Sequence, residues 1–337
     1  MAKKRIDQTP EHAHELILFR ELSAKDSIKF EPEPLQYVDQ EDKINMVYKL
    51  VPFGGNYLFS LLIKNQSADP ITELKIRIIF PDFFELSRSS PPTLTIESLE
   101  TDEQSDDEGI KQKQVKMEFE ILNANSQKQI NLYLCPLLIE KKGKIRSYIT
   151  FVNNKDFIRA IDTDSINIVL EPFSIERKII PQAEIKKFLE KPWIKKANKS
   201  IGIDFTGTLD ETYFFEQILK TILDMNFQLI LRNQNNKISW SCGTDLVSGN
   251  DILVIGQIVA GKIEWLAASP NPHLLISVLT NFVNLFKREM IRLGHITSDD
   301  QVYQLECKYC GNTLPYFPGK GKSIECNKCN YEQVVWN

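Results

Sequence analysis

The chain has 337 residues, of which 42% are hydrophobic and 26% are charged, and its formal net charge at pH 7 is −4. This composition is ordinary for a folded protein, and the length favours two or more domains. The acidic balance argues against a general nucleic-acid binder, because neutralising phosphates needs a concentrated basic surface. No apolar run reaches the roughly 18 residues of a membrane-spanning helix, and the first residues lack a signal-peptide core, so a cytoplasmic location without a transmembrane segment is expected.

Residues 1–40 are polar and end in the proline-containing sequence EPEPLQ. Within them HAHELILFRELS has the spacing of one amphipathic helix that could turn its Leu and Phe side chains to a partner surface. A docked helix and a loose tail both fit this pattern.

Residues 41–175 contain eight or nine short runs rich in β-branched and aromatic residues, each bounded by Gly, Pro, Asn or Asp. Such runs are typical of antiparallel strands in a sheet that has one solvent-exposed face, and their number indicates an immunoglobulin-like β-sandwich. Gly54 and Gly55 predict a hairpin turn. The insertion at residues 97–114 is acidic and then basic, which predicts a solvated loop within a hairpin.

The pattern changes in residues 176–297. A strand at KSIGIDFTG is followed by a helix at ETYFFEQILKTILDMN, four further strands, and a long closing helix. Pro272 near the start of that helix and Gly294 just past its end are residues typical of the two ends of a helix. This order predicts an α+β platform, which is an antiparallel sheet with flanking helices.

The last segment, residues 302–337, contains two Cys-x2-Cys pairs with fifteen residues between them. The thiols are those of Cys307, Cys310, Cys326 and Cys329. The thiolates of two such pairs, each on a tight turn, can surround one zinc ion tetrahedrally with Zn–S distances of about 2.3 Å. The pattern therefore predicts a small C-terminal zinc ribbon. Gly311 and Asn330 directly follow the pairs, where such turns need a residue that tolerates positive φ. Four thiolates leave no open position for water, so one structural zinc ion is the expected cofactor.

The sequence shows no recognisable catalytic pattern. Each histidine is predicted to be a surface residue; the four are His12, His14, His273 and His295. The chain has no phosphate-cradling glycine loop. Cys135 and Cys242 stand far apart and are predicted to be small core residues. A protein without enzymatic activity is therefore expected.

A sandwich followed directly by an α+β platform is an unusual order, and two stretches carry a resemblance to a known family. GNYLFSLLIKNQSADPITELKIRIIFPDFFEL looks like the opening sandwich strands, and SGNDILVIGQIVAGKIEWLAAS looks like the central platform strands, of vesicle-coat appendage (ear) domains. The chain resembles the appendage of the coatomer gamma subunit most closely and those of the alpha and beta adaptins more distantly, over about residues 40–295. The resemblance implies recruitment of accessory proteins in membrane trafficking.

The platforms of that family begin with a helix that carries an aromatic residue and, shortly after, a tryptophan that lines a pocket for short aromatic peptide motifs. Phe188 and Trp193 match this arrangement in EIKKFLEKPWIKK, where five of thirteen residues are lysine. A tryptophan can bury a large area against an incoming aromatic side chain, and lysines would favour acidic peptides. A second interpretation has Trp193 cap the junction between sandwich and platform.

The chain departs from the family in two ways. Family platforms hold the peptide with basic side chains on neighbouring strands, and the similar positions here are Ile255, Gln257, Glu264 and Ala268. Period-two spacing places Ile255 with Gln257, and Glu264 with Ala268, on common strand faces. The resemblance implies that Gln257 and Glu264 line the peptide pocket, so a ligand other than the family's motif is expected, and a hydrophobic peptide still fits. The added zinc ribbon and the missing helical trunk indicate a free-standing appendage with a metal module.

The sequence thus predicts a non-enzymatic interaction protein that binds protein partners through short aromatic peptide motifs. Direct contact with nucleic acid is not expected, and membrane association would be peripheral and through partners. A platform sheet with a zinc ribbon also suits a transcription or translation accessory factor. That alternative predicts binding that weakens steeply with salt.

Overall fold

The computed structural model describes residues 35–39, 43–92, 95–99, 111–204 and 210–336. The helix or tail predicted within residues 1–40 lies outside these ranges, apart from one strand at Leu35–Asp39. The tip of the predicted loop, residues 100–110, also lies outside them. Within the described ranges the protein is mostly antiparallel β-sheet, as the sequence predicts.

In the described part of the chain, eleven strands form the first two sheets. They are β1 (Leu35–Asp39), β2 (Ile44–Phe53), β3 (Asn56–Asn65), β4 (Ile71–Pro81), β5 (Phe84–Ser90), β6 (Thr95–Leu99), β7 (Gln112–Leu122), β8 (Ser126–Pro136), β9 (Lys141–Val152), β10 (Ile158–Asp162) and β11 (Ile166–Leu170). The five-stranded sheet has the order β1-β2-β3-β8-β5, and the six-stranded sheet has the order β10-β9-β4-β7-β6 with β11 paired to β9. One apolar core takes side chains from both sheets. We call this part the two-sheet unit.

Alternation along the strands explains how this core forms. β4 buries Leu74, Ile76 and Ile78 and exposes residues between them, because successive side chains of a strand point to opposite faces. Burying each such side chain stabilises the fold by about 1.5–3 kcal/mol. The predicted hairpin turn is present, with Gly54 at φ +60° between β2 and β3.

The second part of the chain forms a seven-stranded sheet covered by helices. Its strands are β12 (Ile175–Arg177), β13 (Lys195–Ile203), β14 (Gln228–Asn233), β15 (Ile238–Asp245), β16 (Asp251–Val259), β17 (Lys262–Ser269) and β18 (Val302–Gln304). The helices are α1 (Gln182–Glu190), α2 (Glu211–Asp224) and α3 (Pro272–Arg292). The strand order is β12-β15-β16-β17-β13-β18, and β14 pairs with β15. We call this part the helical unit.

The two faces of this sheet are covered by different elements. α2 and α3 pack on one face, where the ring of Trp265 lies 6.4 Å from Phe282 and 5.4 Å from Phe286, measured between ring centroids. α1 packs on the opposite face, where Phe188 joins a cluster with Trp240. Each face of the sheet therefore buries one tryptophan, Trp265 beneath α2 and α3 and Trp240 beneath α1.

The predicted ends of the closing helix are confirmed. Pro272 is its first residue, and the Asn271 side chain accepts hydrogen bonds from two backbone N–H groups of the first turn. Gly294 follows the helix at φ +74°, a backbone conformation that glycine adopts without strain.

The two-sheet unit and the helical unit touch directly. A Cβ atom on Gly55 would lie 3.0 Å from the carbonyl oxygen of Asn198, so the hairpin turn of the first unit abuts β13 of the second. The hydroxyl of Tyr57 lies 3.0 Å from Nδ1 of His273 at the start of α3. The units therefore share a close polar junction.

Candidate functional site

Four thiols gather near the end of the chain. The sulfur atoms of Cys307, Cys310, Cys326 and Cys329 all lie within 4.8 Å of one another. Sulfurs at the corners of a tetrahedron around zinc stand about 3.8 Å apart when each Zn–S bond is about 2.3 Å. The pairs Cys307–Cys329 and Cys310–Cys326 stand 3.6 Å apart. The cluster could therefore hold one metal ion.

Both Cys-x2-Cys pairs lie on the same kind of backbone turn. The N–H of Gly311 donates to the carbonyl of Cys307 at 2.8 Å, and the N–H of Asn330 donates to the carbonyl of Cys326 at 2.9 Å. Gly311 has φ +70° and Asn330 has φ +57°. The prediction that these two positions adopt positive φ is confirmed.

The acidities of the thiols differ. Burial raises the pKa of Cys310 to about 12. Burial acts in the same direction on Cys326, but backbone N–H donors from Lys328 and Cys329 outweigh it, and the pKa of Cys326 falls to about 7. Sulfurs this close repel one another when ionised, so binding a divalent cation would release protons from the cluster.

The segment that carries the thiols, residues 305–336, is here called the cysteine module. It packs on the face of the helical unit that α1 covers in part. Asn198 pairs with Leu266, which belongs to the apolar cluster beneath α1, so both residues lie on that face. The side-chain amide of Asn198 donates to Oγ1 of Thr313, in the module, at 2.7 Å. A Cβ atom on Gly202 would lie 2.2 Å from the ring of Phe317. The module and α1 therefore divide one sheet face between them.

The structure places Gln257 and Glu264 beneath the cysteine module, where they are 5% and 0% exposed. The carboxylate of Glu264 accepts from Nε2 of Gln257 at 2.5 Å, from Oγ of Ser200 at 2.9 Å and from Nζ of Lys262 at 3.1 Å. Nζ of Lys262 also donates to the carbonyl of Leu314 at 2.7 Å. The sequence expectation that Gln257 and Glu264 line an accessible pocket wall does not agree with this placement, because the module covers both side chains.

Phe188 and Trp193 lie near each other but differ in burial. Phe188 is 8% exposed and packs in the core beneath α1, so it supports the helix and does not face a ligand. Trp193 is 56% exposed and stands beside the buried Ile194. Nζ of Lys191 lies 5.7 Å from the ring centroid of Phe188 and 5.8 Å from that of Trp193. This exposure does not suit a tryptophan buried as a cap on the junction.

The lysines predicted around this tryptophan lie mostly at the surface. Lys186, Lys187 and Lys191 are exposed, Lys195 is half-buried, and Lys196 is buried. We call Trp193 with the four accessible lysines the Trp193 surface. Its ring is exposed to solvent, and Lys191 lies beside the ring.

Lys262 is a residue of this region that the sequence reasoning missed. It belongs to the same strand face as Glu264 and Leu266, because alternate residues of β17 share a face. Opposite charges two residues apart in the otherwise apolar KIEWLAAS were the available signal for a buried ion pair.

A cavity of about 490 Å³ opens on the outer face of the six-stranded sheet, away from both the thiols and Trp193. Its lining includes Arg77 from β4, Tyr148 from β9 and Asp162 from β10. The strand pattern predicts that these residues face outward but gives no sign of the concavity.

Comparison with known proteins shows no family. No family model matches the chain, and no curated protein matches it. Among solved structures, AvmM, which catalyses macrocyclization in alchivemycin A biosynthesis, is 13% identical, covers 41% of this chain and 97% of its own, and has a TM-score of 0.25. A GH20 exo-β-N-acetylglucosaminidase from Vibrio harveyi is 11% identical, covers 67% of this chain and 39% of its own, and has a TM-score of 0.23. BcpA, the major pilin subunit of Bacillus cereus, is 8% identical, covers 68% of each chain, and has a TM-score of 0.25. Likeness at this level supports no argument about fold or function.

Within the described ranges, no helix combines the length and the apolar content that a membrane span needs.

Proposed function

We propose that this chain is a non-enzymatic protein-interaction module that recruits partner proteins through short acidic peptides carrying an aromatic residue, bound at the Trp193 surface. In this proposal the two-sheet unit is an immunoglobulin-like sandwich and the helical unit is an appendage-like platform. The resemblance to coat appendages makes accessory proteins of membrane trafficking the expected partners.

The exposure of Trp193 on an anchored segment is the observation that carries the proposal. The two tryptophans of the sheet faces are almost completely buried, Trp240 at 1% and Trp265 at 0%, whereas Trp193 is 56% exposed. Buried Ile194 directly after it anchors the backbone, so the backbone that carries the ring has little freedom to lose on binding. Tryptophan is enriched among the residues that dominate binding energies at interfaces.

The exposed lysines of this segment favour an acidic peptide. Lys186, Lys187 and Lys191 are exposed, and Nζ of Lys191 lies near the ring of Trp193. Positive side chains at the border of a small interface raise the rate of encounter with an acidic partner more than they raise its affinity. The aromatic contact should therefore set the dissociation rate, and the lysines should set the association rate.

For the metal, we propose one zinc ion with a structural role, held by Cys307, Cys310, Cys326 and Cys329. Thiolate sulfur and a tetrahedral arrangement favour zinc among the common divalent ions. When bound, the ion would replace the apolar core that so short a module cannot build.

Binding to an array of synthetic octapeptides, each with one Phe or Trp among acidic residues, tests the proposed function. The best binder is then titrated by fluorescence anisotropy against the wild type and Trp193→Ala. We expect Trp193→Ala to weaken the affinity about tenfold or more, because the ring supplies most of the buried apolar area. The melting temperature should stay nearly unchanged, since the ring is exposed.

Phe157→Ala is the matched control, because Phe157 is a 62% exposed aromatic residue of the two-sheet unit. It should bind the peptide like the wild type. Equal affinity of Trp193→Ala and Phe157→Ala would contradict the proposal. Salt-sensitive binding of a single-stranded oligonucleotide, with no peptide bound, would favour the accessory-factor alternative instead.

A further inference from the structure

A lysine nitrogen and a cysteine sulfur meet at the junction of the two units. Cys135, near the end of β8, is 1% exposed, and Lys199, in β13, is 5% exposed. Nζ of Lys199 lies 3.0 Å from Sγ of Cys135. Nε2 of Gln304 donates to the same sulfur at 3.3 Å. The sulfur therefore belongs to the two-sheet unit, and both of these nitrogen atoms belong to the helical unit.

The other isolated cysteine provides a comparison within the same chain. Cys242 is 0% exposed, and its thiol contacts the carbonyl oxygen of Gly243 at 3.9 Å. Burial raises the pKa of Cys242 to about 12, which leaves its sulfur protonated and unreactive. Cys135 is as deeply buried, but it faces an amine that could form a bond with it.

A small cavity gives a reactant access to this contact. It has a volume of about 20 Å³ and is bordered by Cys135, Lys199 and Gln304. A polar cavity needs roughly 10–15 Å³ to hold one water molecule. One small polar molecule can therefore stand beside the sulfur, although the bulk of the solvent is excluded.

We propose that Cys135 and Lys199 are a modification site, at which hydrogen peroxide produces a covalent sulfenamide link between the two units. In the first step the sulfur attacks one peroxide oxygen; an S–O bond forms, the O–O bond breaks, and water leaves. Cys135 is then a sulfenic acid, which can condense with a nearby nitrogen.

In the second step the Lys199 nitrogen attacks the sulfur. An S–N bond forms, the S–O bond breaks, and the hydroxyl leaves as water with a proton from the nitrogen. The sulfur has lost two electrons and the peroxide has gained them, so one thiol, one amine and one peroxide give one sulfenamide and two waters. A thiol such as dithiothreitol can cleave the S–N bond and return the cysteine and the amine.

The link would join residues that are 64 positions apart in the chain. A cross-link of this kind restricts the unfolded chain, and it would also hold the two units in their present contact. The proposal does not depend on peptide binding at Trp193.

Mass spectrometry of the metal-bound full chain after peroxide treatment tests the proposal. Tryptic digestion should give a peptide pair joined through Cys135 and Lys199, with a mass two hydrogens below the sum of the free peptides. The pair should disappear after dithiothreitol. The peptide that contains Cys242 should stay unmodified.

Two variants make the result decisive. Lys199→Arg should give no link and should leave a Cys135 sulfenic acid that dimedone traps when the oxidised protein is unfolded in urea, and Cys135→Ser should give neither product. The unfolding midpoint of the oxidised wild type should rise, and that of Cys135→Ser should not. The proposal is overturned if wild-type Cys135 stays reduced, or is oxidised while Lys199 remains free, or if the linked pair retains a peroxide oxygen.

Discussion

At the scale of single residues, charge pairing explains how an acid can lie in the sheet beneath the cysteine module. The side chains of Lys262 and Glu264 are 3% and 1% exposed, and their charged groups are 3.1 Å apart. Removing two charges from water is unfavourable, and hydrogen bonds from Gln257 and Ser200 to the Glu264 carboxylate help to offset that cost. Glu264, which was predicted to line a ligand pocket, is therefore a buried residue of the sheet.

Replacing one partner of this pair should be strongly destabilising. We expect Lys262→Met to lower the free energy of unfolding by about 3–5 kcal/mol, because it removes a buried charge that faces the Glu264 carboxylate at 3.1 Å. Urea denaturation measures the change.

The exposed pair Lys220–Glu289 supplies the control, since the Lys220 side chain is 50% exposed. Lys220→Met should change the free energy of unfolding by less than about 1 kcal/mol. Equal effects of the two substitutions would show that the Lys262–Glu264 pair contributes no more than a surface contact.

Some features at this scale follow from the sequence alone. The positive φ of Gly311 and Asn330 follows from their place after each Cys-x2-Cys pair, because the local turn sets it. The burial of Glu264 does not follow, because alternation predicts which residues share a strand face but not which distant segment covers that face.

At the scale of elements, alternating strands such as β4 and β7 are predicted by their pattern, whereas β5 and β12 are not. β5 has the sequence FELSRSS and buries only Phe84, and β12 has three residues, so neither shows a period. The cysteine module was predicted as a zinc ribbon, but its packing on the helical unit was not predicted, because no local signal in its sequence encodes that contact.

Removing the metal should therefore loosen more than the cysteine module. We expect a zinc chelator to increase hydrogen–deuterium exchange in the module and in the half of the sheet face that it covers, around Lys262 and Glu264. Exchange in β4 and β7 of the two-sheet unit should change little.

Cys310→Ser should reproduce the effect of the chelator, and Cys242→Ser should not, because Cys242 lies outside the thiol cluster. Unchanged exchange around Glu264 after metal loss, confirmed by elemental analysis, would contradict a supporting role of the module.

The contact between Asp245, at the end of β15, and Ser174, which lies between β11 and β12, should depend on pH. Asp245 is 2% exposed and accepts hydrogen bonds from the backbone N–H of Ser174, at 3.0 Å, and of Ser248, at 2.9 Å. Burial alone would raise the pKa of Asp245, but the hydrogen bonds from Ser248 and Ser174 outweigh it and hold the pKa below its ordinary value of 3.8.

A lowered pKa in the folded state means that this carboxylate stabilises the fold above its unfolded pKa, and that the contribution is lost as the pH falls through the folded value. Asp245→Asn should therefore be less stable than the wild type at pH 7, and the difference should shrink below about pH 4. Urea titrations of both proteins at pH 7, 4 and 3 measure it. A difference that is the same at all three values would show that Asp245 does not act through its charge.

At the scale of the whole molecule, the cysteine module and α1 together cover one face of the helical unit and leave Trp193 exposed beside them. The sequence predicts the order of the parts, two sheets followed by a helix-covered sheet and a cysteine-rich end, because each part has its own residue pattern. It does not predict how they contact one another. The junction depends on single contacts between distant residues, such as Tyr57 with His273.

The central claim is that Trp193 is the residue on which a peptide binds. The most direct test is an NMR titration that follows the indole N–H signals of the four tryptophans, with the Trp193 signal assigned from Trp193→Phe. We predict that the bound octapeptide shifts the Trp193 signal in a saturable way and leaves the signals of the buried Trp240 and Trp265 in place. A peptide that binds while the Trp193 signal stays unchanged would contradict the account.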